Sequence, residues 1–415
     1  MKLLVKNIGA LVGTHAADVN ALRGSQLAHL PMIQNAWLAV EDEVIVDFGE
    51  MADWPGISDW RDLEIVDADG GWIIPGYCDS HSHAVFAASR AGEFSDRIKG
   101  MTYEEIAAKG GGILNSAAKL ADMSEDALFE DALDRLDELM RMGTTSLEIK
   151  SGYGLSTDAE LKMLRVIKRL KQAHPMNIKA TFLGAHAYPA DYKNRKEEYV
   201  KLIVEEMLPR VAEQGLAEFI DVFCEENYFS VTDTERILGA AKALGLIPKV
   251  HVNQFNAIGG VEVCVRHGAL SVDHLEVLTD DDVTALRGTN TAAVALPGCS
   301  LFIKIPYTPA RKLIDNDIIF ALASDFNPGS SPSGNMNLVM SLACVNMNIT
   351  PEEALNASTL NGAYAMGLNA RVGSITLGKQ ADFLIVRPLK EIAELPYYFG
   401  SNLIQEVYIK GERKI

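Results

Sequence analysis

The chain has 415 residues, of which 48% are hydrophobic and 23% are charged, and its formal net charge is −18. This length accommodates one large α/β barrel with an attached domain, and the apolar content is sufficient for a large core, which excludes a wholly disordered chain. The acidic balance argues against nucleic acid as a partner because phosphate binding needs a basic face, although a local arginine can still capture a small carboxylate.

The cysteines and the N-terminal residues indicate the compartment. The five cysteines are scattered and form no CxxC pair, which is typical of a reduced cytosolic protein. The opening residues MKLLVKNIGALVG lack the full apolar region and cleavage site of a signal peptide, and no apolar run is long enough to span a membrane. The sequence therefore predicts a cytoplasmic protein with neither a membrane nor a nucleic-acid partner.

The two ends of the chain carry similar β patterns. Residues 1–71 contain LLVKNIGALVG, WLAVEDEVIVDFG and LEIVDADGG, and residues 372–415 contain GSITLGKQADFLIV and LIQEVYIKGERKI. Gly, Pro and Asp separate these segments, as expected for strands and turns. Because the ends resemble each other and differ from the middle, we expect them to form one small β-sandwich domain together.

The middle of the chain, residues 72–371, alternates short apolar runs with amphipathic helical patterns such as 124–143 and 157–174. The runs occupy 72–83, 144–152, 178–186, 219–225, 247–254, 269–276, 292–298 and 319–327. Apolar strands that alternate with helices indicate a parallel sheet, and eight such units favour an α/β fold of the (β/α)8 TIM-barrel type. A doubly wound open sheet is the alternative, but no GxGxxG motif follows any run.

Metal-binding side chains stand at the ends of several runs. His81 and His83 end the first run, and side chains two apart on a strand point the same way, so both can reach one cation. The pair alone is a weak signal. Further candidates end the third, fifth, sixth and eighth runs: His186, His251, His274 and Asp325. Carboxyl ends of barrel strands meet at one mouth, and imidazoles with one carboxylate suit zinc or iron.

A set of motifs then identifies a family. The segments DSHSHAVFAASRAGEF, GMTYEEIAAKGGGIL, KSGYGL, TFLGAHAYP, DVFCE, HVNQFNAIGG, SVDHLE, ALPG, PARKLID and DFNPGSS together resemble the imidazolonepropionases of the amidohydrolase superfamily. The likeness runs from about residue 72 to the end, and the N-terminal β segment fits as well. GGGIL, KSGYGL and DFNPGSS are the most specific of these motifs, whereas the strand-end histidines and aspartate are shared across the superfamily.

The resemblance implies an activity and a set of site residues. The family hydrolyses 4-imidazolone-5-propanoate to N-formimidoyl-L-glutamate in histidine degradation, with one zinc or iron ion. The implied metal ligands are His81, His83, His251 and Asp325. The implied substrate contacts are Arg90, Tyr103, Tyr153, His186, Gln254, Asn327, Gly329 and Ser330. The implied catalytic residues are Asp325, His274 and His186. Barrels of this superfamily often pair, so a homodimer is a further expectation.

The residue types suit the implied chemistry. A metal ion lowers the pKa of bound water to about 7, so that Asp325 can take a proton and pass it to the leaving nitrogen. We expect His274 to hydrogen-bond the nucleophile or the oxyanion, and Arg90 to grip the propionate carboxylate. Tyr153 can donate its hydroxyl, and the DFNPGSS turn can offer backbone N–H groups and the Asn327 side chain.

Several alternatives remain open at this stage. Two-metal members of the superfamily often carry a carboxylated lysine on the fourth strand, whereas this chain has Cys224 and Glu225, which favours one metal but leaves Glu225 as a candidate second-site ligand. Lys150 is expected to be structural or paired with a carboxylate. Gln254 stands where some members have a proton-shuttling glutamate, and an amide cannot shuttle protons. The alternative functions are a nucleobase or amidine deaminase, which Gln254 disfavours, and a noncatalytic metal-binding scaffold, which the complete ligand set disfavours.

Overall fold

The computed structural model describes residues 2–57, 59–101, 105 and 111–415. Its strands, in chain order, are β1 Lys2–Val12, β2 Met32–Glu41, β3 Val44–Glu50, β4 Leu63–Asp67, β5 Trp72–Pro75, β6 Tyr77–Asp79, β7 Thr144–Lys150, β8 Asn177–Ala185, β9 Phe219–Cys224, β10 Ile247–Val252, β11 Ser271–His274, β12 Ala292–Ala295, β13 Phe320–Leu322, β14 Phe383–Val386, β15 Ile404–Ile409 and β16 Glu412–Arg413. These strands form two eight-stranded sheets.

Helices lie between and after the strands. The α-helices are Ala91–Ile98, Ile113–Asp122, Glu125–Arg141, Thr157–Ala173, Lys196–Leu202, Leu208–Glu213, Val231–Ala243, Gly260–Arg266, Asp280–Leu286, Pro297–Ile303, Ala310–Ile314, Met336–Met347, Pro351–Ser358, Leu360–Ala365 and Glu394–Tyr397. Short 3-10 helices occupy Gly24–Ala28, Met51–Asp53 and Ala190–Tyr192, and a π-helical segment occupies Ile203–Met207. The expected helices at 124–143 and 157–174 are confirmed within two residues at each end.

Strands β6 to β13 follow one another around the expected parallel barrel. Its first and last strands meet through a bridge between Ser82 and Phe326 just beyond their ends. At this seam the amide of Asp325 donates to the carbonyl of His81 over 3.0 Å, and the amide of His83 donates to the carbonyl of Phe326 over 2.8 Å. The TIM-barrel prediction is confirmed, and the seam joins the two strand ends that carry the HxH pair and the aspartate.

The continuous apolar runs explain why these strands lie inside. Every residue of β7 and of β9 is buried, as expected for parallel strands covered on both faces. The helix Glu125–Arg141 shows the complementary pattern, because its Leu128, Leu136 and Leu139 are buried on one face. Ser124 caps this helix by accepting a hydrogen bond from the amide of Ala127.

The chain ends form the second sheet, in the order β16-β15-β14-β5-β1-β2-β3, with β4 paired alongside β1. The predicted β-sandwich is thus one hydrogen-bonded network that encloses its own apolar cluster, including Leu3, Phe383 and Tyr408. The first apolar run divides between the sheets: β5 pairs with β14, and β6 begins the barrel. Gly76 makes the turn between them, where a Cβ atom would lie 2.2 Å from the Thr145 hydroxyl.

The domain limits, 72–371 for the barrel and 1–71 with 372–415 for the β domain, remain a prediction; in the structure the change of sheet falls between β5 and β6. Among the described residues, none of the helices combines the length and apolar character needed to cross a membrane.

Candidate active site

A cavity of about 610 Å³ opens at the carboxyl ends of the barrel strands. Its walls include the predicted residues His83, Arg90, Tyr153, His186, Gln254, His251, His274, Asp325, Asn327, Gly329 and Ser330. His81 lies directly beneath, with its Nε2 atom 3.0 Å from Nε2 of His251. The structure therefore brings together eleven predicted cavity residues and His81. Tyr103 lies outside the described residues.

The predicted metal ligands fall into two overlapping groups that share His81, one with His83 and Asp325 and the other with His251 and His274. Besides the 3.0 Å contact between the two Nε2 atoms, Oδ1 of Asp325 lies 3.6 Å from Nε2 of His81 and 3.6 Å from Nε2 of His83. Ligands bonded to one zinc ion at about 2.0–2.2 Å are separated by roughly 3–3.5 Å. The donor set of three imidazoles and one carboxylate therefore fits a borderline-soft cation.

Two buried carboxylates orient the ligand rings. Nδ1 of His81 donates to Oδ2 of Asp273 over 2.6 Å, and Nδ1 of His251 donates to Oδ2 of Asp221 over 2.8 Å. With both Nδ1 atoms acting as donors, neutral rings leave both Nε2 atoms as lone-pair acceptors. Two lone pairs facing each other at 3.0 Å repel, and a shared cation removes that repulsion. This arrangement is the carboxylate–histidine–metal pattern.

Burial favours the neutral form of His81 and His83, the form that binds metal. Burial lowers the pKa of His81 well below its ordinary value, and the charge of Lys150 and the neighbouring histidines lower it further. Burial, followed by the neighbouring His186 and His251, likewise lowers the pKa of His83. Burial also raises the pKa of Asp325, since the carboxylate is removed from water.

The backbone at two strand ends is strained in a way that directs functional side chains. His274 has φ of 88° and Asp325 has φ of 53°, both in the left-handed region that non-glycine residues rarely adopt. Such conformations cost about 1–3 kcal/mol each and cluster at functional sites. At Asp325 this turn, together with its hydrogen bond to the His81 carbonyl, places the carboxylate beside the HxH pair.

His274 is held by a glutamate that the sequence reasoning missed. Nδ1 of His274 lies 3.1 Å from Oε1 of the buried Glu276. Burial alone would lower the pKa of His274, but the charge and hydrogen bond of Glu276 outweigh it and raise the pKa. His274 is therefore suited to donate a hydrogen bond into the cavity, although it also lies within ligand distance of His81 and His251.

The SGYGL turn positions Tyr153 and His186. The buried Glu160 accepts hydrogen bonds from the amides of Gly152, Gly154 and Leu155 at 2.7–2.9 Å. Nδ1 of His186 donates to the carbonyl of Gly152 over 3.0 Å. Burial lowers the pKa of His186 to about 3, so the ring is neutral and its Nε2 atom remains as an acceptor in the cavity.

One wall of the cavity carries two arginines. Nε of Arg90 donates to the hydroxyl of Ser116 over 3.0 Å. A Cβ atom on Gly329 would lie 2.3 Å from Nη1 of Arg90, so the guanidinium packs directly on the glycine. Arg97, which the sequence reasoning missed, also lines the cavity and donates to the carbonyl of Gly329 over 3.0 Å. This wall can receive a carboxylate.

The DFNPGSS turn differs from expectation. Oδ1 of Asn327 accepts the amides of Gly329 and Ser330 at 2.8 and 2.7 Å, and its Nδ2 donates to the Asp325 carbonyl and the Ser330 hydroxyl. These backbone N–H groups and this side chain are therefore engaged with each other rather than offered to a substrate, because the Asx-type turn satisfies them internally. The hydroxyl of Ser330 lies 3.2 Å from Oδ2 of Asp325.

Glu225 and Gln254 also line the cavity. The carboxylate of Glu225 accepts the amides of Phe255 and Asn256, so it anchors the loop after β10, and the candidate metal groups among the described residues do not include it. Nε2 of Gln254 donates to Sγ of Cys299 over 3.4 Å.

The expectation that Lys150 pairs with a carboxylate is confirmed by its 2.7 Å contact with Glu148.

A family model described as the amidohydrolase family matches residues 72–414. An imidazolonepropionase of Christiangramia forsetii is 56% identical over 412 residues, covering 99% of this chain and all of that protein. Another from Flavobacterium johnsoniae is 53% identical over the same shares, and one from a Shewanella species is 44% identical, covering 92% of this chain and 93% of its own.

Solved structures share the fold at low identity. The guanine deaminase of E. coli gives a TM-score of 0.76 at 13% identity, covering 100% of this chain and 99% of that one. A zinc-bound adenosine deaminase from Xanthomonas campestris gives 0.71 at 18% identity, covering 100% and 92%. At this low identity these structures support the architecture alone. The family assignment depends on the sequence relatives, which are 44–56% identical. The chain belongs to the imidazolonepropionases of the amidohydrolase family.

Proposed function

We propose that this chain hydrolyses the ring amide of 4-imidazolone-5-propanoate to N-formimidoyl-L-glutamate, through the residue roles described below. Its membership makes it a hydrolase of a carbon–nitrogen bond. The assignment of roles depends on one observation: the metal-ligand cluster and the Arg90 wall face the same cavity. A metal ion held by the cluster would act on the amide carbonyl, and the Arg90 wall would recognise the carboxylate tail.

His81, His83, His251 and Asp325 would hold one zinc or iron ion. When bound, such an ion lowers the pKa of water and polarises a carbonyl oxygen. The chain contributes the fixed orientation of the imidazoles, through Asp273 and Asp221, and a buried surround. The lowered pKa values of His81 and His83 favour neutral rings and support this ligand set.

Asp325 and His274 move and stabilise charge. Asp325 takes a proton from the attacking water and delivers it to the ring nitrogen as the carbon–nitrogen bond breaks, so that water adds across that bond. The raised pKa of Asp325 favours its acting as a proton carrier. His274, held by Glu276, donates a hydrogen bond to the developing oxyanion.

Other cavity residues bind the substrate or support the residues that do. Arg90 forms a fork with the propionate carboxylate, and Arg97 adds a second positive charge on the same wall. Nε2 of His186 accepts a hydrogen bond from a ring N–H, and Tyr153 donates its hydroxyl. Asn327, Gly329 and Ser330 form the floor beneath Arg90, where Asn327 holds the turn.

The deaminase alternative rests on the solved neighbours, several of which are deaminases. Deaminases typically place glutamate at residue 254, to protonate the ring. Gln254 instead directs its amide toward Cys299 and cannot supply a proton. The presence of all four predicted metal ligands also argues against a metal-binding scaffold without catalytic activity.

A direct assay tests the proposal. Freshly prepared 4-imidazolone-5-propanoate is given to metal-loaded enzyme, and N-formimidoyl-L-glutamate is measured by mass spectrometry. In parallel, guanine, cytosine and adenosine are offered and ammonia is measured. We expect the ring-opened product without ammonia from the nucleobases, whereas ammonia release without that product would assign the chain to the deaminases.

The proposal includes the cellular setting. The five cysteines are free thiols, which supports a reduced cytoplasmic location. A homodimer remains a prediction from the superfamily, and light scattering of the purified chain measures it.

A further inference from the structure

Five charged side chains form a network beneath the metal-ligand cluster. Glu148, Lys150, Asp221, Lys249 and Asp273 are each fully buried, with no side-chain exposure. They lie on strands β7, β9, β10 and β11 of the barrel. Burial of so many charges is costly unless each is paired, so their arrangement needs a reason.

Lys150 is the central cation of this network. Its Nζ atom lies 2.7 Å from Oε1 of Glu148, 2.9 Å from Oδ2 of Asp221 and 3.7 Å from Oδ2 of Asp273. One ammonium group thus faces three carboxylates on three strands. Two of these carboxylates have a second partner in the metal-ligand cluster.

The same oxygen atoms that face Lys150 also hold the ligand rings. Oδ2 of Asp221 accepts from Nδ1 of His251 at 2.8 Å, and Oδ2 of Asp273 accepts from Nδ1 of His81 at 2.6 Å. A single carboxylate oxygen therefore separates Nζ of Lys150 from Nδ1 of each ring. Lys150 connects two ligand histidines that the chain supplies from strands far apart in sequence.

We propose that Lys150 is a positioning residue that fixes the orientations of His81 and His251 together, by locking Asp273 and Asp221 in one arrangement around a single ammonium group. This inference rests on the proposed metal site. It adds Lys150 behind the two carboxylates that orient the ligand rings. Without the ammonium group of Lys150, Asp221 and Asp273 lose a shared counter-charge and can shift independently. The imidazole rings that they hold would then no longer keep fixed orientations relative to each other.

Electrostatics support this arrangement. Burial alone would lower the pKa of Lys150, but Asp221, Glu148 and Asp273 outweigh it and raise the pKa. Lys150 therefore keeps its positive charge among the three carboxylates.

Lys249 provides a matched control within the same network. It is equally buried, and its Nζ atom contacts Oε2 of Glu148 at 3.3 Å, the Ser271 hydroxyl at 2.8 Å and the Ala365 carbonyl at 2.8 Å. Among the described residues, Lys249 forms no ion pair with Asp221 or Asp273, and its link to Asp273 is indirect, because the Ser271 hydroxyl donates to Oδ1 of Asp273. Removal of Lys249 therefore disturbs the buried charges but leaves Lys150 facing the two Oδ2 atoms that hold the rings.

The experiment compares metal-free wild type, Lys150→Met and Lys249→Met, each titrated with Co²⁺. Cobalt binding is followed by its visible absorption, which reports the coordination geometry, and by competition with a chelator. Changes at such outer positions lower metal affinity by about 10–100-fold. For Lys150→Met we expect a loss of that size and an altered cobalt spectrum, whereas Lys249→Met should keep the wild-type spectrum and affinity.

Each outcome decides the matter. Wild-type affinity and spectrum in Lys150→Met would overturn the inference while leaving the metal site intact. Wild type that fails to bind Co²⁺ would overturn the proposed site itself. Should Lys150→Met not fold, Lys150→Gln takes its place; failure of both to fold while Lys249→Met folds would make Lys150 a folding residue and end the proposal.

Discussion

His81 donates a hydrogen bond from Nδ1 to Oδ2 of Asp273 over 2.6 Å, and neither side chain is exposed to solvent. This short contact fixes the tautomer of His81 and directs its Nε2 atom toward His251, His83 and Asp325. The orientation of the ligand therefore depends on a carboxylate that never reaches the cavity.

Asp273→Asn should weaken metal binding. The amide has no charge and cannot hold the His81 ring as strongly, so we expect metal affinity to fall about 10–100-fold. Bound metal is measured by mass spectrometry after dialysis against a chelator. Asp382→Asn, a change at a buried aspartate immediately before β14, is the control and should retain full metal content. Equal metal retention in both variants would contradict the orienting role.

Arg90→Lys should raise KM with little effect on metal content. Lysine keeps the charge but loses the planar fork that matches a carboxylate, and such charge-assisted hydrogen bonds are worth about 1.5–3 kcal/mol. We therefore expect KM to rise by roughly 10–100-fold. Steady-state kinetics provide the measurement, with the half-exposed Arg165 mutated to lysine as the control. An unchanged KM would remove Arg90 from the substrate site.

Gly329→Ala should disturb Arg90 through its backbone neighbour. The added Cβ atom would lie 2.3 Å from Nη1 of Arg90, so the guanidinium must move. We expect kcat/KM to fall about as far as in Arg90→Lys while the fold is retained. Gly92→Ala is the matched control, because a Cβ atom there meets nothing within 4 Å. If Gly329→Ala kept wild-type kinetics, the close packing of glycine and arginine would have no functional meaning.

Lys379 should make stability depend on pH in the alkaline range. Burial lowers its pKa from 10.5 to about 8, so between these values the unfolded state holds a proton that the folded state has released. Below about pH 8 the buried, protonated Lys379 therefore destabilises the folded state by its full amount. This penalty shrinks as the pH rises from about 8 to 10.5, so the free energy of unfolding increases across that window. The difference corresponds to at most about 3 kcal/mol.

The test of Lys379 compares Lys379→Met with wild type by urea unfolding at pH 7 and pH 10. We expect the variant to be more stable than wild type at pH 7 and the gain to shrink at pH 10. Lys201→Met, at an exposed helical position, should show no such trend. A gain that stays constant with pH would show that Lys379 does not carry the proton difference.

The sequence predicted the parts of the site that follow from strand ends. His81, His251 and Asp325 could be placed together because parallel barrel strands all end at one mouth. Asp221, Asp273 and Lys150 could not be assigned, since their roles depend on which strands become neighbours. The available signal was an acidic residue inside an otherwise apolar strand, as in FIDVFCE and SVDHLE.

Local turns limited the prediction in a different way. Asn327 was expected to face the substrate, but its carboxamide closes its own turn, and side chains that satisfy nearby amides cannot be distinguished from ligand-binding ones by residue type. Glu160 and Glu276 were missed for the same reason. Both are buried: Glu160 accepts the amides of the Tyr153 turn, and Glu276 holds His274.

Activity as a function of bound metal addresses the proposed mechanism most directly. Metal-free enzyme is titrated with zinc or iron while N-formimidoyl-L-glutamate formation is followed from 4-imidazolone-5-propanoate. We predict no turnover without metal, and a linear rise that saturates at one ion per chain, with His251→Ala inactive throughout. Turnover by the metal-free chain, or saturation only at two ions, would contradict a single ion held by His81, His83, His251 and Asp325.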